Sequence, residues 1–345
     1  MNLQNLVRKN IASLVPYSSA RDEFTGDAQV FLDANENPFN EPYNRYPDPL
    51  QRKLKLKIAD IKNVSPDKIF LGNGSDEPID LLIRAFCEPE CDNIVTIDPS
   101  YGMYQVSANI NDVSIRKVPL SSNFALDPIA VLHAVDLHTK LIFLCSPNNP
   151  SGNNLSRSAM HHIAQHFKGI VVVDEAYIDF SPGHSLLPDL SRHKNLVVLQ
   201  TFSKAWGMAG IRLGMAFASP DIIGILNKIK YPYNLNILTQ EKALDMLENK
   251  VQVENWVATL INERNRISEE LKKLPVVNTV FPSDANFVLV SMENASLIYN
   301  KLVEKGIIVR DRSKVNLCAD CLRITIGSPE ENNLLLEELK NINLA

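Results

Sequence analysis

NLVVLQTFSKAWGMAGIRLG, residues 195–214, runs from an apolar stretch into a lysine, Lys204, and on to an arginine, Arg212. Leu196 to Leu199 are apolar at consecutive positions, as in a strand covered on both faces rather than on one. The run then turns polar at Thr201, Ser203 and Lys204. Gly207, Gly210 and Gly214 are expected to let the backbone turn tightly between the lysine and the arginine.

Working outward, the same pattern recurs in KIFLGNG (68–74), NIVTIDP (93–99), KLIFLCSP (140–147) and GIVVVDEAY (169–177). Segments between them, such as Arg157 to Lys168, are long enough for crossover helices. The expected fold is an α/β sheet with helices on both faces. After Tyr231 the pattern changes. Gln240 to about Lys273 reads as a long helix with Trp256 packing, and NFVLVSM, GIIVRD and CLRITIG as shorter strands. Ser328-Pro329-Glu330-Glu331 is a helix start, with Ser at the cap and Glu at the third position. A smaller α+β domain follows the first. The expected division is an arm over 1–28, a large domain over 29–235 and a small domain over 236–345.

Ligands of open α/β sheets bind beyond the carboxyl ends of the strands. Three such ends carry Asn148-Asn149-Pro150-Ser151-Gly152, Asp174-Glu175-Ala176-Tyr177 and Thr201-Phe202-Ser203-Lys204. Singly, each has a plain structural reading: a turn, a helix cap, a solvated lysine. Side by side they describe a site. A lysine inside a pocket can form a Schiff base with an aldehyde. A pyridoxal cofactor needs an acid beside its ring nitrogen, a role suited to Asp174. Asn149 and Tyr177 can donate to its phenolic oxygen, and Ser203 and Arg212 can hold its phosphate.

An anion cradle is expected at Gly72-Asn73-Gly74-Ser75-Asp76-Glu77, where a strand opens into a helix. Glu77 stands where a dinucleotide fingerprint has its third glycine, which disfavours NAD, and no P-loop is present. Backbone contact from Ser75 and Asp76 is expected, with both carboxylates turned to capping or structure. Tyr101, in PSYGMY, is placed to stack on a cofactor ring.

The rest of the chain narrows the choices. It has 345 residues, 45% hydrophobic and 22% charged, with net charge −5 and no basic stripe, so nucleic acid is not an expected partner. No apolar run approaches a membrane span. The first residues carry Arg8, Lys9 and Arg21 before any acid; an amphipathic arm explains them better than a transit peptide. Five scattered cysteines argue against a disulfide scaffold and for a reducing, cytoplasmic compartment. Cys318-Ala-Asp-Cys321 lacks a second pair, and His161-His162…His166 lacks a carboxylate at a metalloprotease position, so no metal is expected.

SPNNPSG, VVVDEAY and TFSKAWGMAGIRLG, in this order, resemble the fold-type I pyridoxal-phosphate aminotransferases. LVPYSSAR, LDANENPF, NRYPDP, GNGSDE, PSYGMY, GIIVRD and CLRITIG extend the resemblance over the whole chain and make it similar to the histidinol-phosphate aminotransferase family. Ser151 and Ser100 stand where that family more often has threonine, and both keep the hydroxyl. The resemblance implies pyridoxal 5'-phosphate carried by Lys204, which also moves the proton. It implies Asp174 at the ring nitrogen, Asn149 and Tyr177 at the phenolic oxygen, and Tyr101 on the ring. Ser75, Asp76, Ser203 and Arg212 would hold the phosphate. Tyr46 would reach it from the other subunit of a homodimer. Arg323 and Arg310 would bind the substrate's phosphate or carboxylate, and Tyr17 would close over it. Arg310 could instead form a surface ion pair with Asp311. The implied reaction is transamination between histidinol phosphate and glutamate. The alternatives are an aromatic aminotransferase and a threonine-phosphate decarboxylase of the same superfamily. A cofactor-binding transcription regulator fits less well, since only a short arm precedes the matching region.

Overall fold

The computed structural model describes residues 3–18, 23–24, 26 and 29–342. Part of the arm expected over 1–28, including the Ser19–Arg21 end of LVPYSSAR, lies outside the described residues.

Seven strands form the large sheet: β1 (Ile69–Asn73), β2 (Asn93–Asp98), β3 (Ser114–Pro119), β4 (Thr139–Cys145), β5 (Ile170–Asp174), β6 (Leu196–Thr201) and β7 (Leu213–Phe217). Their order is β1-β7-β6-β5-β4-β2-β3, parallel except that β7 runs antiparallel to both β1 and β6. Consecutive apolar residues in β4 and β5 go to opposite faces. Ile142, Leu144, Val171 and Val173 pack into one core, and Leu141, Phe143, Ile170 and Val172 into the other. Such strands need helices on both sides, because each buried Val, Leu or Ile contributes about 1.5–3 kcal/mol that an uncovered face would lose. The covering helices include α1 (Arg52–Lys62), α2 (Asp76–Phe86), α3 (Met103–Ile110), α4 (Pro128–His133), α5 (Arg157–His166) and α6 (Pro220–Ile229).

The expected long helix after residue 240 is two helices, α7 (Ile237–Leu247) and α8 (Lys250–Leu271). Asn249 breaks the ladder with φ −99° and ψ 34°. The break lets Ala243 and Leu247 of α7 join the core of the large sheet while α8 continues to the second sheet. Trp256 is 38% exposed on α8.

The second sheet is antiparallel, in the order β10 (Arg310–Asp311), β11 (Cys321–Thr325), β9 (Phe287–Met292) and β8 (Val277–Val280). Its faces have different partners. Val288, Val290, Leu322 and Ile324 pack with α8, α9 (Ala295–Glu304) and α10 (Pro329–Asn341). Phe287 and Leu289 point the other way, into the core of the large sheet. Arg323 pairs with Leu289 and so faces the large sheet. The capping box read at Ser328 is present: Glu331 N donates to Ser328 Oγ, and Ser328 N donates to the Glu331 carboxylate.

Candidate active site

The carboxyl ends of β4, β5 and β6 meet the start of α2 around one cavity, lined by Ser75, Tyr101, Asn149, Asp174, Tyr177 and Lys204 among others. The three strand ends named from the sequence thus converge.

Asp174 ends β5 with its side chain buried, at 2% exposure. Both carboxylate oxygens are held: Tyr104 Oη donates to Oδ2 at 2.7 Å, and the Ala176 N–H donates to Oδ1 at 3.1 Å. Burial raises its pKa to about 6, and the bond from Tyr104 opposes that rise. Tyr104 is itself fully buried, with its ring stacked on Phe143 at 4.9 Å between centroids. Sequence reading missed this tyrosine. It lies 70 residues from Asp174 and three beyond Tyr101, with no local signal of the pairing.

Lys204 is open to the cleft, yet the surrounding walls and then Arg323 hold its amine below the usual lysine pKa. Its Nζ lies 5.5 Å from the centroid of the Tyr177 ring. Asn149 bridges two other groups, with Nδ2 donating to Tyr177 Oη at 3.3 Å and Oδ1 accepting from Arg323 Nη1 at 2.6 Å. The Arg323 guanidinium also lies over the Phe287 ring, 5.3 Å from its centroid.

The anion cradle is built by close backbone approach. Gly74 N–H donates to Arg212 O at 2.7 Å. A Cβ on Gly214 would come within 2.2 Å of Gly74 C and Ser75 N, so only glycine lets β7 pass the start of α2. A Cβ on Gly74 would meet Arg212 Nη2 at 2.6 Å. Of the three glycines in the opening stretch, Gly207 takes a left-handed φ of 64° and Gly214 makes the close approach. Gly210 shows neither constraint, and Arg212 itself adopts φ 56°.

The two acids after Ser75 part company. Glu77 accepts from Asn73 N and Asn234 Nδ2, a structural role. Asp76 does not turn away: its carboxylate stays at the cavity, accepting from Tyr101 Oη at 3.1 Å and lying 3.6 Å from Arg212 Nη2. Ser203 Oγ also lines the cavity and accepts from Thr201 Oγ1 at 3.0 Å.

Other expected residues stand outside this cavity within the single chain. Tyr46 is 50% exposed and stacked on Tyr233, 4.4 Å between centroids. Tyr17 is 71% exposed in a separate surface depression with Pro49 and Leu50. Arg310 lies directly across from Arg323 in the β10–β11 pair. It makes no ion pair with Asp311, whose oxygens accept from Ser296 Oγ and Ser313 N. The histidines of α5 divide: His162 and His166 stack on each other, while His161 contacts His193 and Asp189.

A buried, doubly held carboxylate, a lysine of lowered pKa and an anion cradle with its own arginine fit pyridoxal phosphate in donor chemistry and charge. A protonated ring nitrogen would supply the cation that Asp174 lacks. This combination defines a pyridoxal-phosphate site. A family model described as aminotransferase class I and II matches residues 25–339. The histidinol-phosphate aminotransferase of Parabacteroides distasonis is 62% identical over 343 residues, covering 99% of each chain. The crystal structure of the histidinol-phosphate aminotransferase from Clostridium acetobutylicum superposes with TM-score 0.80 at 27% identity, covering 87% of this chain and 90% of that one. The Sinorhizobium meliloti enzyme in complex with pyridoxal-5'-phosphate gives TM-score 0.80 at 26% identity, over 86% of this chain and 82% of that one. The chain belongs to the class I and II aminotransferases and, within them, to the histidinol-phosphate aminotransferase family.

Proposed function

We propose that the protein exchanges an amino group between L-histidinol phosphate and 2-oxoglutarate, using pyridoxal 5'-phosphate. The observation that carries this reading is the cavity itself, with Lys204 and Asp174 at the sheet edge and Arg323 leaning in from the small sheet. When bound, the cofactor supplies an electron sink for a carbanion. Lys204 would hold it, Asp174 would pair with its ring nitrogen, and Asn149 and Tyr177 would take its phenolic oxygen. Tyr101 would cover the ring, and Ser75, Asp76, Ser203 and Arg212 would bind its phosphate.

The chain's own groups then divide the work. Lys204 Nζ would take the proton from the substrate carbon that bears the amino group and deliver it to the cofactor carbon, with the transfer running in reverse for the second substrate. Its lowered pKa increases the neutral fraction able to do so. Tyr104 and the Ala176 N–H keep Asp174 oriented and favour its ionised form. Arg323 and Arg310 bind the phosphate of one substrate and a carboxylate of the other through charge-assisted bonds.

We also propose a homodimer in which Tyr46 reaches the partner's site and Tyr17 closes over the substrate. Supporting this, the stretch around Tyr46 leaves Val30, Leu32, Phe39 and Tyr43 exposed in the single chain, a surface suited to burial against a second copy. The division into an arm over 1–28 that closes on the active site, a large domain over 29–235 and a small domain over 236–345 is proposed as well. A cytoplasmic location is proposed too; among the described residues no helix is long and apolar enough to cross a membrane.

The test is product analysis with three amino donors. L-Histidinol phosphate with 2-oxoglutarate should yield glutamate. Phosphothreonine should release no carbon dioxide, and tyrosine should react far more slowly. Carbon dioxide release, or faster turnover of tyrosine, would replace this reading with a decarboxylase or an aromatic aminotransferase.

A further inference from the structure

The arginines of the small sheet exceed what Arg323 and Arg310 were expected to do. Arg312 follows Arg310 by two residues, and its N–H donates to Cys321 O at 2.8 Å, continuing the β10–β11 pairing. Side chains two apart on a strand share a face. Arg310, Arg312 and Arg323 therefore lie together on the face directed at the large sheet, while Asp311 between them points away to Ser296.

This arrangement is unfavourable by itself. Arg310 stands directly opposite Arg323, and like charges in that position destabilise a strand pair. Arg312 Nε and Arg323 Nε are both buried without a hydrogen-bond partner among the described residues. A buried donor left unpaired is unfavourable, and more so when charged. Burial holds the Arg312 pKa below the usual arginine range. The groups acting on it most strongly after burial are Arg323 and Arg310, then Cys318 and Tyr177: two cations and two side chains neutral at pH 7. No salt bridge joins any of the three arginines to a carboxylate among the described residues. A carboxylate would bring one negative charge to this face, whereas a phosphomonoester brings close to two, with three acceptor oxygens.

We propose that Arg312 is a third phosphate-binding cation, forming with Arg310 and Arg323 a subsite for a phosphomonoester dianion and setting the preference for a phosphorylated amine. This rests on the transamination reading above and adds the residue that discriminates phosphate from carboxylate. Asn149, which accepts from Arg323 Nη1 and donates to Tyr177 Oη, connects the subsite to the reaction cavity.

The experiment compares Arg312→Met and Arg312→Lys with the unaltered, cofactor-loaded enzyme. KM and kcat are measured for L-histidinol phosphate and for glutamate, and inorganic phosphate is titrated as a competitive inhibitor. Losing a hydrogen bond to a charged group corresponds to roughly ten- to hundredfold in affinity. Arg312→Met should raise KM for histidinol phosphate and the inhibition constant of phosphate by that factor. KM for glutamate should change by less than about threefold and kcat should hold. Arg312→Lys, which keeps the charge but loses the planar fork, should fall between. An equal loss for both substrates would mean that Arg312 only supports the small sheet, and unchanged phosphate inhibition would mean that it faces no anion. Either result overturns the proposal. If the unaltered enzyme fails to convert histidinol phosphate, the functional reading falls with it. If it converts the substrate and Arg312→Met matches it, only this inference falls.

Discussion

The two halves of the site are finished to different degrees. At the edge of the large sheet, Asp174 has both oxygens bonded, Asn149 is bonded at both ends, and Glu77 is tied to Asn73 and Asn234. On its face toward the large sheet, the small sheet presents Arg310, Arg312 and Arg323, with buried Nε atoms unpaired on two of them among the described residues. The first half is held before anything binds. The second would be completed by a ligand carrying negative charge. A cofactor that stays through every cycle rewards a rigid seat. A substrate that must leave is better met by groups whose interactions reform each turnover.

The comparison is broken most severely at Lys204. Lys204→Ala should reduce turnover by at least about a thousandfold, the range expected for removing a general acid–base group that also carries the cofactor. Single-turnover measurement would show it, with retention of cofactor testing whether the rigid seat survives.

Asp174→Asn should separate function from stability. In the folded protein burial raises this carboxyl to about 6, above the usual 3.8. Because the folded value is raised, ionising Asp174 opposes folding of the cofactor-free protein. Its favourable contribution is complete below about pH 4, is lost as pH rises to about 6, and is constant beyond. The shift corresponds to about 3 kcal/mol. Asp174→Asn should therefore stabilise the cofactor-free protein at pH 7 in denaturant melts while weakening cofactor affinity at least tenfold. Melts at pH 4 should show little of that gain.

Tyr104→Phe is a smaller cut at the same place. Removing the donor should raise the Asp174 pKa further, so cofactor affinity falls several-fold and its acid limb moves to higher pH. A fluorescence titration of cofactor binding across pH would detect the displacement. A uniform loss with an unmoved limb would make Tyr104 a packing residue only.

The smallest effect lies far from both halves. Ser328→Ala removes the cap of α10 and should cost about 1 kcal/mol of stability, read from denaturant midpoints, with KM unchanged.

These residues also show where a linear reading succeeds. Strand ends were legible because uninterrupted apolar runs mark doubly covered strands, and Asn149, Asp174 and Lys204 follow such runs within five residues. The capping box at Ser328 was legible because its geometry spans four residues. The Tyr104–Asp174 bond was not, since it depends on how α3 sits against β5. Asp76 was expected to turn away because its repulsion of phosphate was weighed without Tyr101 and Arg212, which hold it in place. The break at Asn249 was hidden by helix-compatible neighbours on both sides. Arg312 was passed over because period-two alternation shows that it shares a face with Arg310 but not which way that face looks.

The most direct test is the visible absorbance of the purified protein loaded with pyridoxal 5'-phosphate, followed during addition of L-histidinol phosphate and then 2-oxoglutarate. The account predicts a visible band that is lost with histidinol phosphate, returns with 2-oxoglutarate, and responds far less to phosphothreonine or tyrosine. A band untouched by histidinol phosphate would contradict the substrate assignment, and the absence of any protein-bound band would contradict the role of Lys204 itself.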